Sequence, residues 1–313
     1  MVKYLLKRLG RSILTLIIII TIVFSLLRLM PIEGYFQNFE KLTEAQIQAG
    51  LENMGLNDPL PVQLFNFFKK AVRGDFGESR TYMANVPVMK IIKEKIPISM
   101  ELGITSILIS MLLGLPLGIL MARSKGKFWD KLGTGFIVFI QAVPAVVYYL
   151  FIQIFGTEWF GLGTLFDRDN LSTYILPILS MAIGNIAYYA MWLRRYMVDE
   201  CNKDYVRLAR AKGLTQGQIM SKHVFRNAFV PMVQYIPSSI LNTMIGSIYI
   251  ESLYSIPGMG GLLVDVIQKQ DNNMIQGLVI IFATVGIIGL ILGDFLMCIV
   301  DPRISLTKKG GAR

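Results

Sequence analysis

Six long apolar stretches interrupt the 313-residue chain: Ser12 to Met30, Ile98 to Ala122, Leu132 to Phe155, Tyr174 to Leu193, Ala228 to Ile250 and Met274 to Val300. About 20 apolar residues in a helix cross the hydrocarbon of a bilayer. Each stretch therefore predicts one membrane-spanning helix, and the expected fold class is all-α and polytopic. Pro31 to Pro97 is mixed and polar. Within it, Thr43 to Met54 reads as a helix capped by Thr43, and Val62 to Val72 has apolar residues at helical spacing. Gly74-Asp75-Phe76-Gly77 reads as a turn. Val86 to Ile96 alternates apolar residues with Lys90, Lys93 and Lys95, a pattern suited to a helix lying along a membrane surface. The expected organisation is residues 1–30 (N-terminus and first span), 31–97 (outer segment), 98–303 (five-helix core with an inner loop at 198–227) and 304–313 (tail).

Charge adds a direction to this pattern. The chain is 53% hydrophobic and 17% charged, with a net charge of +10. In a soluble protein that balance would suggest nucleic acid; here the basic residues sort by loop instead. They gather at Lys3 to Arg11, Arg123 to Lys131, Arg194 to Arg226 and Arg303 to Arg313, which together hold 20 of the 31. Of 21 acidic residues only Asp130, Asp199, Glu200 and Asp204 share those segments, with Asp301 just ahead of the last. Positive loops stay in the cytoplasm, so six spans with both termini cytoplasmic follow, and no nucleic-acid partner. Cys201 and Cys298 are too few for a disulfide framework or a metal cluster. The first apolar run lacks a small-residue cleavage site and reads as a retained helix.

Asp204 to Pro231 is a basic, amphipathic stretch between two apolar spans, and it predicts two short helices broken at Gly213-Leu214. Asp204 is placed to cap the first and Gly213 to end it in the left-handed conformation. Thr215 and Gln218 have the spacing of a capping box for the second. Tyr205, Leu208, Ala209 and Lys212 fall on one helical face.

Candidate chemistry is sparse. No Gly-rich phosphate loop is present: Gly126-Lys127 is followed by Phe128. Energy for uphill transport must then arrive from another polypeptide. His223 is the single histidine and forms neither a triad nor a metal set. Glu101 lies near a span end, and Asp294 lies deep in the last span, where a carboxylate needs a partner. A membrane-embedded enzyme would need such groups clustered at one depth, and these three are dispersed. A stand-alone channel or secondary carrier is the other alternative; no internal repeat supports it. Polar groups inside the spans that could line a path are Gln141, Asn185, Tyr188, Asn242, Ser247 and Glu251, with Pro144, Pro231 and Pro237 allowing bends.

Ala209, Gly213 and Pro231 match the spacing of the cytoplasmic EAA loop, and the stretch resembles that loop of ABC-importer permeases. Arg207 stands where that loop has its glutamate. Tyr205-Val206-Arg207, Ala209 to Gly213 and Arg226-Asn227-Ala228 are similar to the dipeptide, oligopeptide and nickel branch, B-type subunit. So are Gly74 to Gly77, Ser255 to Gly260 and Val300-Asp301-Pro302-Arg303, so the likeness runs along nearly the whole chain. The resemblance implies a type I permease architecture in a bacterial inner or plasma membrane. It implies peptides as substrate, with nickel, glutathione or sugars as relatives' alternatives. It implies a homologous second permease, two cytoplasmic ATPases that hold the ATP, and an extracytoplasmic peptide-binding protein. The chain itself would carry no cofactor, metal or catalytic residue. Tyr205, Arg207, Ala209, Lys212, Gly213 and Leu214 become the candidates for ATPase coupling.

Overall fold

The computed structural model describes residues 2–36 and 39–300. The Val300 to Arg303 motif, beyond its first residue, and the basic tail lie outside the described residues. Four described helices are long and apolar enough to cross a membrane: the Lys7–Leu27 part of α1 (Val2–Leu27), α4 (Val88–Arg123), α7 (Ser172–Cys201) and α14 (Asn272–Val300).

Two of the six expected spans are not single helices. Leu132 to Phe155 falls on α5 (Phe128–Ala142) and α6 (Ala145–Phe160), which are bent by 105°. The break is at Val143-Pro144, where Val143 is extended (ψ 131°). A residue before proline is pushed out of the helical region by the ring. Ala228 to Ile250 falls on α10 (Phe225–Val233), α11 (Tyr235–Asn242) and α12 (Ile248–Leu253). Pro231 and Pro237 each lack the N–H of a helical hydrogen bond. Gly246 then adopts φ +74°, which interrupts the helix between α11 and α12. The segment expected to lie along the surface, Val86 to Ile96, instead forms from Val88 onward about the first two and a half turns of α4, which continues through Pro97. Val88, Ile91 and Ile92 are buried against Met274, Ile275 and Leu278 of α14, and that burial holds the helix in line.

The central packing is α4 on α7. Ser106, Ser110, Gly114 and Gly118 recur every fourth residue and are all buried. A Cβ on Gly114 would sit 2.8 Å from the carbonyl oxygen of Ile186, and one on Gly118 2.8 Å from that of Ala190. Small residues at this spacing let two backbones approach without hydrophobic help from solvent. Gly289 does the same for α14 against Ser238 of α11.

The 31–97 segment packs onto this core. Thr43 caps α2 (Glu44–Asn53), as expected, and Gln46 completes a reciprocal capping box with it. In α3 (Leu60–Ala71), Phe67 packs on Phe24 of α1 with centroids 5.3 Å apart. Gly74 and Gly77 have φ +74° and +78°, with Asp75 Oδ1 accepting from the Gly77 N–H at 2.9 Å, so this turn is as read.

Candidate functional site: an amphipathic elbow and a polar cleft

The elbow begins at α8 (Asp204–Ala211) and turns at Gly213, whose φ is +80°. Lys203 holds the N-cap position, so Asp204 is the first helical residue rather than the cap. Its carboxylate still favours the positive helix end. The second arm starts with α9 (Gln216–Gln218). Thr215 Oγ1 accepts from the Gln218 N–H at 3.3 Å, and Gln218 Oε1 accepts from the Thr215 N–H at 2.9 Å. The arm then widens into a π-helical stretch, Ile219–Val224, before α10. His223 is half-buried within it.

The face of α8 that meets the protein is centred on Val206 and Ala209, so the four residues grouped by spacing divide between the buried and the open side. Val206 is fully buried and Ala209 is 5% exposed, both packed with Leu193 and Met197 of α7, Ile219 and Met220. Leu208 is 57% exposed, and Arg207, Ala211 and Lys212 are exposed with it. Of the six coupling candidates, Ala209 is therefore in the base, Tyr205 and Leu214 are half-buried beside it, and Arg207, Lys212 and Gly213 are on the open side. α8 is anchored through Val206, which lies one position, or about 100° of helix, from Tyr205. Tyr205 donates to Glu200 Oε2 at 2.6 Å, and burial pushes its phenol up to about 12. It stays a neutral donor at any physiological pH and ties α8 to the end of α7.

A cleft of about 220 Å³ opens between α4, α7 and α11. Asn185, Asn242, Ser106, Ser239 and Thr243 supply its polar wall. Two of the six path candidates thus meet there. The others do not line it. Gln141 is exposed on α5 and donates to Met191 Sδ at 3.2 Å. Tyr188 belongs to an aromatic cluster, edge-on to Tyr235 at 6.0 Å and tilted on Trp192 at 6.2 Å. Ser247 caps α12, accepting from the Ile250 N–H at 3.4 Å.

Glu251 is 0% exposed and is a structural carboxylate. Its Oε2 accepts from the N–H groups of Gly260 (2.7 Å) and Gly261 (3.1 Å) at the start of α13 (Met259–Gln268). Its Oε1 accepts from the Ser99 hydroxyl (2.8 Å) and the Ser247 N–H (3.2 Å). Ser99 Oγ in turn accepts from the Met259 N–H at 2.8 Å. The three leading N–H groups of α13, orphans in any helix, are thereby satisfied from other elements. The Ser255 to Gly260 segment is glycine-rich because the chain wraps this carboxylate closely: a Cβ on Gly258 would lie 2.5 Å from Ser99 Oγ.

Three further buried carboxylates join elements. Asp271 Oδ1 accepts from the Met274 N–H at the head of α14, while Oδ2 accepts from the Ser79 hydroxyl and the N–H groups of Arg80, Thr81 and Tyr82 at 2.7–3.0 Å. Asp130 takes two donors from Arg194 (2.5 and 2.8 Å) and the Gly126 N–H (2.7 Å). Asp294 pairs with Arg8 of α1 and accepts from Gln234 Nε2 at 2.7 Å. The polar partner that its burial demanded is therefore present. The sequence offered no sign of the Asp271 and Glu251 cages, because Ser79 and Ser99 lie 192 and 152 residues from them.

Comparison with known proteins agrees with this geometry. The model for binding-protein-dependent transport system inner membrane components matches residues 114–306, and the model for the N-terminal part of such membrane components matches residues 1–103. The chain is 33% identical over 306 residues to the dipeptide transport system permease protein DppB of Lactococcus lactis, covering 98% of this chain and 100% of that one. It is 30% identical over 308 residues to the oligopeptide transport system permease protein OppB of Salmonella typhimurium, covering 97% and 99%. Among solved structures, an amino acid ABC transporter with histidines superposes with a TM-score of 0.52 at 19% identity, covering 69% of this chain and 95% of the other. The MetNI methionine ABC transporter, in inward facing conformations, does so at 0.53 and 14%, covering 68% and 97%. These two structures share the fold. With helices long and apolar enough to cross a membrane, an amphipathic elbow and a match to the family model over more than half its length, the chain belongs to the binding-protein-dependent transport system inner membrane components, the permease subunits of ABC importers.

Proposed function

We propose that this chain forms one membrane half of an ATP-driven importer of peptides, of the dipeptide and oligopeptide class carried by its relatives. A homologous second permease completes the path. Two cytoplasmic ATPases bind and consume the nucleotide, and an extracytoplasmic peptide-binding protein delivers the substrate. In this reading the elbow end of the bundle faces the cytoplasm with both termini; the clustering of basic residues there supports that orientation.

The observation that carries the proposal is the two-sided elbow. Its base, Val206 and Ala209, is packed into the same cluster as Leu193 and Met197 of α7 and Met232 of α10. Its open side presents Arg207, Leu208, Ala211 and Lys212. A partner that grips the open side moves α7 and α10 together, because close-packed side chains transmit displacement. Tyr205 and Ala209 act in this scheme by fixing the base, Gly213 and Leu214 by fixing the bend. Asn185 and Asn242 are the path candidates that the 220 Å³ cleft supports.

Gly213→Trp tests the coupling role. The residue has open space around it but φ +80°, so a side chain there strains the bend without filling the core. Uptake by the assembled transporter should fall at least about tenfold at unchanged membrane level, while ATP hydrolysis persists; about 1.4 kcal/mol of lost coupling suffices for that. Unchanged uptake removes the elbow from the mechanism. Co-purification in mild detergent tests the partners, and the ligand held by the external protein names the substrate.

A further inference from the structure

The outer segment and the core enclose a second cleft, of about 260 Å³, beside the end of α1 remote from the elbow. Arg28, Lys70 and Arg80 line it, with Gln276 of α14 in its wall. Glu78, exposed at the rim, is the acidic residue among the lining. The ion pairs among the described residues involve none of the three cations. Arg28 donates from Nη1 to the Tyr35 hydroxyl at 2.5 Å and lies 4.4 Å from the Phe24 ring centroid, yet its Nε has no acceptor. Arg80 Nε has none either. Gln276 is only 7% exposed, and its Nε2 also lacks an acceptor among the described residues. A buried donor without a partner costs about 1–3 kcal/mol. The three residues that carry these donors line one cleft of net positive charge, which is the chemistry of an oxyanion site.

Depth narrows the source. The apolar run of α1 ends at Leu27, so Arg28 stands at the level where a leaflet's phosphates begin. α3 leaves Leu60, Val62 and Phe65 exposed and carries Lys69 and Lys70 in its last turn. That is the composition of a helix lying in the interface with its apolar side in the acyl region. We propose that this cleft binds the phosphate of an anionic phospholipid headgroup in the leaflet at the end of the bundle remote from the elbow. The phosphodiester oxygens accept from the arginines and from Gln276, and the headgroup joins α1, the outer segment and α14 at one point. Free phosphate shares this chemistry, and the experiment separates the two.

The full chain, purified in mild detergent and stripped of lipid, is titrated with phosphatidylglycerol and followed by native mass spectrometry. One tightly retained lipid is expected. Each surface cation is worth about fivefold in affinity for an anionic lipid, so Arg28→Gln with Arg80→Gln should weaken retention about thirtyfold. Arg28→Lys with Arg80→Lys should keep most of it. Arg168→Gln, at a different cleft, should change nothing. Gln276→Leu, which alters no charge, should also weaken binding and carries the test if the double variant does not fold. Phosphatidylcholine, with no net charge, should bind more weakly. Retention of inorganic phosphate with no lipid retained keeps the oxyanion site and overturns the lipid as its source. Equal retention of phosphatidylglycerol by the wild-type chain and the folded arginine-to-glutamine variant overturns the proposal.

Discussion

At the elbow end, Asp130 meets Arg194 and Asp294 meets Arg8; at the opposite end, Glu251 and Asp271 are held by backbone N–H groups and serine hydroxyls, with no cation among their described partners. Both arrangements satisfy a buried carboxylate, but they constrain different things. An arginine on a flexible stem tethers two helices and lets them turn relative to one another. A ring of backbone N–H groups fixes the φ and ψ of the loop that offers them. The Ser79 to Tyr82 loop and the Gly258 to Gly261 turn are thus set rigidly against α14 and α4, while α5, α7, α1 and α14 are linked by side chains at the end that the proposed function asks to move. Rigid loops at one end and tethered helices at the other suit a bundle that pivots.

The largest effect should come from emptying a cage. Glu251→Ala strands the N–H groups of Ser247, Gly260 and Gly261 together with the Ser99 hydroxyl. At about 1–3 kcal/mol for each buried orphan, with some relief by water, the loss is about 4 kcal/mol. Thermal unfolding in detergent should show it, and limited proteolysis should open the 246–261 segment first. Glu251→Gln keeps one acceptor oxygen and should lose about half as much. Because three of the four stranded donors are main-chain groups, a second substitution can remove only the Ser99 hydroxyl and leaves those three unsatisfied. A stability close to wild type for the alanine variant would break the comparison.

Asp130→Asn comes next. It leaves the Arg194 guanidinium facing an amide, and Arg194 is only 30% exposed, so about 3 kcal/mol is expected. Here a second change can help. Asp130→Leu with Arg194→Leu removes both charges, and such paired replacement is often neutral. The double variant should recover most of the loss in Tm, leaving only the Gly126 N–H unsatisfied. Recovery at this end and none at the other is the sharpest form of the contrast, and failure of the double variant would make the two ends equivalent.

Which parts were legible follows from distance along the chain. Capping at Thr43 and Thr215 and the bend at Gly213 are local, and spacing alone located them. The burial of Asp294 demanded a partner, and Arg8 and Gln234 supply it from 286 and 60 residues away. The breaks in the third and fifth apolar stretches were carried by Pro144, Pro231, Pro237 and Gly246, all visible, but hydropathy counts length and not continuity. Spacing grouped Tyr205, Leu208, Ala209 and Lys212 on one face of α8 but did not say which face turns inward, and tertiary packing on Val206 decided that. The Ser106, Ser110, Gly114, Gly118 ridge was present as a four-residue period of small residues, a signal that a search for apolar runs passes over. Glu251 looked like a path residue because a carboxylate at a span end has no local mark of its cage.

Two smaller substitutions test the elbow by separating stability from coupling. Thr215→Ala removes one half of a capping box and should cost about 1 kcal/mol, loosening the second arm and lowering both Tm and uptake. Arg207→Ala should do only the latter. Its pairing with Asp204 spans 3.3 Å between side chains that are 76% and 94% exposed, and such pairs contribute within about 0.5 kcal/mol. Thermal unfolding of Arg207→Ala should therefore overlay that of the wild type. If the open side of α8 receives an ATPase, the same variant should still lose uptake, since an arginine at the centre of an interface is worth more than 1 kcal/mol, or about fivefold and upward. A drop in uptake at constant Tm assigns Arg207 to a partner that the isolated chain does not contain. A Tm that falls with uptake would instead return Arg207 to the fold, and the elbow's open side would lose its strongest reason for being exposed.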